Sequence, residues 1–356
     1  MSNLSVGIVG LPNAGKSTLF NALLGRQIAR AENYPFCTIE PNTGVVEVPD
    51  ERLSVLARIE KSKQIVPAVV KFVDIAGLVK GAAKGEGLGN KFLAHIRECS
   101  IICYVLRSFA DSNVEKAGSI NPRSDLEILK TELMLKDLET IERILGEKVH
   151  PDDKKEVLRH QTAEKTKKIL DQGKMPVSEE WNDNERTVLQ SFSLLTMKPY
   201  LVVFNIGEED FENLDKIRTD FSDWDVIPIS AKMEEELAEL EENERREYLK
   251  SWGVKESGLV LLIRKAYEKL GLVSFYTAGE KEARAWTVEK ETKAPQAAAV
   301  IHTDFEKGFI KAEVVDYNTF VQFGGWAKCR SLGKTCFKGK DYLLQGNEVV
   351  EFKVSC

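Results

Sequence analysis

At 356 residues the chain is longer than one ordinary hydrophobic core supports, and domain-size statistics favour two or three packed units; three are expected. Hydrophobic residues make up 43% and charged residues 30%, which excludes a disordered chain, and a net charge of −6 excludes a global basic field, so contact with nucleic acid needs a local patch. No apolar run approaches the roughly 20 residues of a membrane span, so a soluble chain with no membrane partner is expected.

The chain opens as strand, glycine loop and helix: Leu4 to Val9 is apolar, Gly10 to Ser17 forms the loop, and Thr18 to Leu24 continues at helical spacing. Met1 to Gly10 runs directly into that strand and loop instead of a secretory leader, which predicts a reducing, cytoplasmic location. Cys37, Cys99, Cys103, Cys329, Cys336 and Cys356 form no C-x-x-C pair, and the four histidines make no spaced cluster with them, so zinc is not expected and most cysteines read as small core residues.

Apolar strands follow at Val69 to Val73 and Ile101 to Leu106, and later at Tyr200 to Phe204 and Val226 to Ile229. Separated by helical patterns, they predict an α/β fold with one parallel sheet covered on both faces. Between its halves, from about Asp125 to Leu195, the residues Leu126, Leu129, Leu133, Leu138, Ile141 and Leu145 recur at short helical steps, the pattern of a coiled-coil arm. The second half of that stretch sets Lys154, Lys155, Arg159, Lys165, Lys167, Lys168 and Lys174 against Glu156, Glu164 and Asp171. A solvated helix surface is the plainer reading of this basic face, with an RNA contact as the alternative. An acidic helix from Glu234 to Lys250 reads as a solvated face, and a helix from Gly258 to Leu270 closes the nucleotide unit. From about Ser274 the texture changes to short strands punctuated at Gly308, Gly324-Gly325, Gly339-Lys340 and Gly346-Asn347, a separate small module.

Gly10-Leu-Pro-Asn-Ala-Gly-Lys-Ser17 matches G-x-x-x-x-G-K-[ST] with a strand before it and a helix after it, the context the motif requires. Glycines let backbone N–H groups of Asn13, Ala14, Gly15, Lys16, Ser17 and Thr18 turn around phosphates at the positive end of a helix. Lys16 is expected to bridge the β- and γ-phosphates and Ser17 to offer its hydroxyl to Mg2+. Asp74 starts Asp74-Ile-Ala-Gly77, a D-x-x-G pattern in which the carboxylate reaches the metal and the Gly77 N–H meets the γ-phosphate; Thr38 adds a further hydroxyl. Lys16, Thr38 and Gly77 are thus assigned to the reacting phosphate, and Ser17, Thr38 and Asp74 to the metal.

Asn205-Ile206-Gly207-Glu208 stands where P-loop GTPases carry Asn-Lys-x-Asp. The usual Asp accepts from guanine N1–H and the exocyclic amine, whereas adenine N1 is an acceptor, and an unpaired polar contact there costs on the order of 1–3 kcal/mol. Glu208, one methylene longer, does not repeat that bidentate geometry, so ATP is favoured over GTP. Asn205 and the backbone at Ile206 are expected at the adenine edge, with Ile206 covering the ring, and Ser230, Ala231 and Lys232 complete the base loop.

These motifs, with the tracts Asp74-Ile-Ala-Gly-Leu-Val-Lys-Gly-Ala-Ala-Lys-Gly-Glu-Gly-Leu-Gly-Asn90, Asn33-Tyr-Pro-Phe-Cys-Thr-Ile-Glu-Pro-Asn42 and Ala297-Ala-Ala-Val-Ile-His-Thr-Asp-Phe-Glu-Lys-Gly-Phe309, resemble the YchF family, also called Obg-like ATPases, over nearly the whole chain. The resemblance implies a P-loop NTPase with a Ras-like G domain at 1–124 and 196–273, an inserted helical coiled-coil arm at 125–195, and a C-terminal TGS domain of β-grasp fold at 274–356. It implies the ribosome as partner, through the basic arm or the TGS surface; nothing indicates DNA specificity. Relatives that depend on potassium use an Asn at the position of Asn13 to hold the ion, so K+ is a second candidate cofactor. Leu78 replaces the Gln that orients water in GTPases of this class, which implies slow turnover; His95 reads as a helix-face histidine rather than its substitute, and Phe109 as a core aromatic or a partner for adenine. The expected function is an ATPase acting as a ribosome-associated switch. Its rivals are a GTP-binding or dual-specificity GTPase and a nucleotide-regulated binding module with little turnover.

Overall fold

The computed structural model describes residues 4–25, 42–75, 90–109 and 120–355. Strand β1 (Ser5–Val9) is buried at every position, because a parallel strand in mid-sheet has both faces covered. After the glycine loop come α1 (Lys16–Gly25), β2 (Thr43–Glu47), α2 (Glu51–Glu60), β3 (Gln64–Val66), β4 (Val69–Asp74), α3 (Asn90–Glu98) and β5 (Ile101–Arg107). Helices α4 (Pro122–Leu145), α5 (Lys154–Asp171) and α6 (Asp183–Phe192) intervene before β6 (Tyr200–Asn205). Then follow α7 (Leu214–Asp220), β7 (Val226–Ile229), α8 (Ala231–Glu239), α9 (Glu242–Ser251) and α10 (Gly258–Lys269). The first sheet has the order β2-β4-β1-β5-β6-β7 and is parallel except for its edge strand β2, which runs antiparallel to β4. The parallel strands therefore end at one edge, where the loops after β1, β5, β6 and β7 emerge together. Sequence periodicity misses β2, which is short and carries no strict alternation.

The C-terminal part comprises β8 (Leu272–Ala278), β9 (Glu282–Glu289), α11 (Ala294–Ile301), α12 (Thr303–Lys307), β10 (Phe309–Asp316), α13 (Tyr317–Phe323), α14 (Trp326–Ser331), β11 (Cys336–Lys338) and β12 (Glu348–Val354). Its sheet has the order β11-β10-β12-β8-β9-β3, so β3, from the first half of the chain, extends it by pairing parallel to β9. One face packs on α11 through Phe275, Val288, Ala294, Ala297 and Phe309. A larger cluster runs across both halves and contains Leu53 and Leu56 of α2 together with Tyr276, Ala283, Phe320 and Trp326. Asp50 is the polar hub of this junction: it caps α2 by accepting from the Arg52 N–H at 3.0 Å, takes a hydrogen bond from Arg52 Nε at 2.8 Å, and accepts from the Tyr276 hydroxyl at 2.5 Å. Cys99, Cys103 and Cys329 are buried as expected of core cysteines, whereas Cys336 is exposed.

The inserted helices depart from a plain two-helix coiled coil. α4 and α5 are joined by α6, and the three enclose a small core of Ile141, Ile144, Ala163, Leu170, Trp181 and Phe192. Asn182 and Glu185 close a reciprocal capping box at the start of α6. Several cations of the basic face are already paired: Arg159 with Glu147 at 2.5 Å, Lys167 with Glu142 at 2.5 Å, and Lys165 with Glu185 at 3.1 Å while its ammonium lies 4.3 Å over the Trp181 ring. Those pairs supply arm cohesion and leave Lys154, Lys155, Lys168 and Lys174 exposed on that face. The acidic stretch is likewise two helices, and Glu234 is not solvated but 1% exposed, accepting from the Leu259 N–H at the start of α10.

Asp137 lies fully buried in the apolar stripe of α4. Its carboxylate accepts from the N–H of Leu195 at 3.0 Å, the N–H of Thr196 at 2.7 Å and the Thr196 hydroxyl at 2.6 Å, which fastens the arm to the turn that leads into β6. Burial pushes this carboxyl above its ordinary range, and the three hydrogen bonds oppose that push. Asp137→Ala strands these buried donors and is expected to lower stability by about 2–4 kcal/mol in denaturant unfolding, with Asp137→Asn keeping part of it; a loss near zero would show that the clasp contributes nothing.

Candidate functional site

The phosphate loop is shaped by close approaches that only glycine permits. A Cβ on Gly10 would lie 2.4 Å from the Val105 carbonyl of β5. Gly15 has φ +84°, and its Cβ would lie 2.0 Å from the Asn205 side-chain nitrogen. The turn in between is tightened by a hydrogen bond from the Ala14 N–H to the Leu11 carbonyl at 3.3 Å, and Asn13 sits exposed in the left-handed region at φ 62°. α1 then begins at Lys16, so its first-turn N–H groups have no intrahelical partner and carry the positive end of the helix dipole.

Lys16 is 8% exposed and folded across the loop, its ammonium donating to the Leu11 carbonyl at 2.7 Å. Burial holds its pKa below the ordinary lysine value, and the negative charge of Asp74 partly offsets this. A buried cation beside a carboxylate at the positive end of a helix is a site that a polyphosphate suits. Asp74, at the end of β4, is 5% exposed, while Ser17 is exposed at the helix start. A hydroxyl and a carboxylate are hard oxygen donors of the kind Mg2+ takes, so these two residues fit that ion. Thr38, Gly77 and Leu78 lie outside the described residues.

Asn205 joins the phosphate loop to the base loop. Its side-chain nitrogen donates to the Ala14 carbonyl at 3.1 Å and its oxygen accepts from the Ala231 N–H at 3.0 Å. Ser230 caps α8 through a bond from the Met233 N–H at 3.4 Å, and the Ile206 N–H donates to the Ile229 carbonyl at 2.9 Å, so β6 and β7 end in register. Glu208 reaches Lys232 at 3.1 Å, and this contact raises the lysine pKa. The Gly207 N–H is taken by Asp210 at 3.0 Å.

Two family models match the chain: one described as a 50S ribosome-binding GTPase over residues 5–145, and the C-terminal model of YchF GTPases, itself described as a protein of unknown function, over residues 272–355. The chain is 48% identical to a ribosome-binding ATPase YchF of Haemophilus influenzae, covering 98% of each chain, and 44% identical to one from Bacillus subtilis, covering 98% of this chain and 99% of the relative. It is 43% identical to Obg-like ATPase 1 of Pongo abelii, covering 99% of this chain and 92% of the relative. The chain belongs to the YchF family. The structure of the YchF GTPase of Schizosaccharomyces pombe superposes with a TM-score of 0.90 at 37% identity, covering 99% of this chain and 98% of that one.

Against this YchF-family frame the structure brings Asn13, Ala14, Gly15, Lys16, Ser17, Thr18, Asp74, Asn205, Ser230, Ala231 and Lys232 to one edge of the sheet. Ile206 departs from expectation. Its side chain is 2% exposed in the core cluster with Val9 and Phe204, with Leu11 packed against it, so it is committed to the interior and only its backbone borders the base loop. His95 faces Glu98 on α3 at 3.7 Å, in keeping with a helix-face histidine. Sequence reasoning missed the contact between Gly15 and the Asn205 amide; the spacing of the two motifs names both residues but not the hydrogen bond that joins their loops. Gly15→Ala drives a methyl into that amide at a positive φ, at a stability cost of about 1–2 kcal/mol. It is expected to weaken binding of a fluorescent ATP analogue at least tenfold, and near wild-type binding would show that the close approach is dispensable.

Proposed function

We propose that this protein is an ATPase that cleaves ATP to ADP and phosphate and uses the cycle as a ribosome-associated switch in the cytoplasm. The observation that carries the nucleotide assignment is the base loop: Asn205 is pinned, while Glu208, at the position from which an Asp would select guanine, is paired with Lys232. An exposed pair of this kind is worth at most about 1 kcal/mol, so it biases the carboxylate away from guanine without blocking it. The full-length relatives named as ATPases support the same reading.

Transfer of the γ-phosphoryl group to water builds charge on its oxygens and on the leaving ADP. In this chain the Lys16 ammonium and the first-turn N–H groups of α1 meet that charge in a buried site, where they need little reorganisation. Ser17 and Asp74 would hold Mg2+, which when bound supplies charge neutralisation at the phosphates. Asn13, exposed beside the loop, is the residue a K+ ion would use; equal turnover in sodium and potassium would remove that assignment. The C-terminal unit is assigned as the TGS domain and the α4–α6 insertion as the arm.

Calorimetry with ATP and GTP in parallel is expected to give tighter ATP binding, and Lys16→Ala or chelation with EDTA is expected to reduce phosphate release to background. Tighter GTP binding would overturn the base assignment, and release equal in wild type and Lys16→Ala would overturn the enzyme. For the partner, charge reversal at Lys154, Lys155, Lys168 and Lys174 is expected to lower co-sedimentation with ribosomes and flatten its salt dependence. Unchanged sedimentation would remove the arm from that contact.

A further inference from the structure

Strand β5 ends on Arg107, opposite Asn205 in the parallel register. The next residue is also tied to the base strand, since the Ser108 N–H donates to the Asn205 carbonyl at 2.9 Å. The chain thus leaves the sheet beside the residue whose amide joins phosphate loop and base loop. From there Arg107 folds back over its own turn. Its Nε donates to the Phe109 carbonyl at 3.1 Å, and its guanidinium carbon lies 4.9 Å from the centre of the Phe109 ring. One side chain therefore fixes both the backbone and the ring of Phe109, and the ring is half-buried beneath it. Asp125, in the first turn of α4, is near enough for the Arg107 charge to act on its carboxyl.

We propose that Arg107 is a positioning residue for base recognition: it holds Phe109 as an aromatic wall beside Asn205. The proposal rests on the ATP reading above. A guanidinium on one face of a phenyl ring leaves the opposite face for a planar base, and every purine offers such a face. Arg107 therefore governs how tightly the base is held, whereas the loop 205–208 governs which base it is. Ordering the ring in advance removes rotamer entropy that binding would otherwise have to overcome.

The test compares ATP with inorganic tripolyphosphate, which fills the phosphate cradle but carries no base. Arg107→Ala is expected to weaken ATP about tenfold, as a lost cation–π contact and ring ordering would, and to leave tripolyphosphate affinity unchanged. KM for ATP rises while kcat at saturation stays constant. Phe109→Ala should reproduce the loss, and the double variant should add nothing to it, because both changes remove one wall. Arg107→Lys should recover part of the affinity. If Arg107→Ala does not fold, Arg107→Gln is measured in the same way. Equal weakening of ATP and tripolyphosphate, or no weakening of either, would overturn the positioning role. Wild-type protein that binds tripolyphosphate as tightly as ATP would instead overturn the base-site reading itself.

Discussion

The carboxamide of Asn205 is the contact on which the site depends. One end donates to the carbonyl of Ala14 in the phosphate loop and the other accepts from the N–H of Ala231 in the base loop, so a single planar group spans two loops that the chain separates by more than two hundred residues. A carboxylate has no donor for Ala14, and a hydroxyl is too short to reach both partners; the amide alone offers a donor and an acceptor at this separation. Leaving either partner unpaired in this buried setting costs about 1–3 kcal/mol, which makes the two loops move as one. Gly15 is the other half of the constraint, since its missing Cβ is the space the amide nitrogen occupies.

Around that centre the remaining parts are attached by buried or half-buried carboxylates that accept from the backbone or from neighbouring side chains. Asp137 grips the turn before β6, so the arm is fastened to the strand that ends on Asn205. Lys198 strengthens the same root by donating to the carbonyls of Arg97, in the last turn of α3, and Cys99, just after it. Asp50 does the corresponding work for the C-terminal unit through Arg52 and Tyr276, and Glu60 accepts from the Trp326 N–H at 2.9 Å. β3 completes this junction, because a strand from the nucleotide half continues the second sheet by backbone pairing. Phosphate loop, arm and C-terminal sheet are therefore linked through short, specific contacts rather than through flexible connectors.

Much of this was legible from residue order. The glycine loop with Lys16 and Ser17, the apolar strands and the motif at Asn205 are local signals, because a phosphate cradle or a fully buried strand needs particular residues within a few positions of one another. Ile206 was misread, since an apolar residue after a strand looks the same whether it covers a ligand or fills the core. The basic face of the arm was misread in part for a similar reason: the acidic partners Glu142, Glu147 and Glu185 lie on other helices or turns, out of reach of any sequence window.

The sequence by itself determined the α/β class, the phosphate-binding loop, the place of the base motif and the resemblance to the YchF family, all of which are written in short runs whose chemistry is fixed by neighbours along the chain. Only the tertiary structure decided that Asp137 and Glu234 are buried acceptors, that β3 belongs to the second sheet, and that Arg107, opposite Asn205, lies over Phe109. Desolvation, strand partnership and side-chain stacking depend on what folds in from elsewhere, and that is a property of the packed molecule, not of local periodicity.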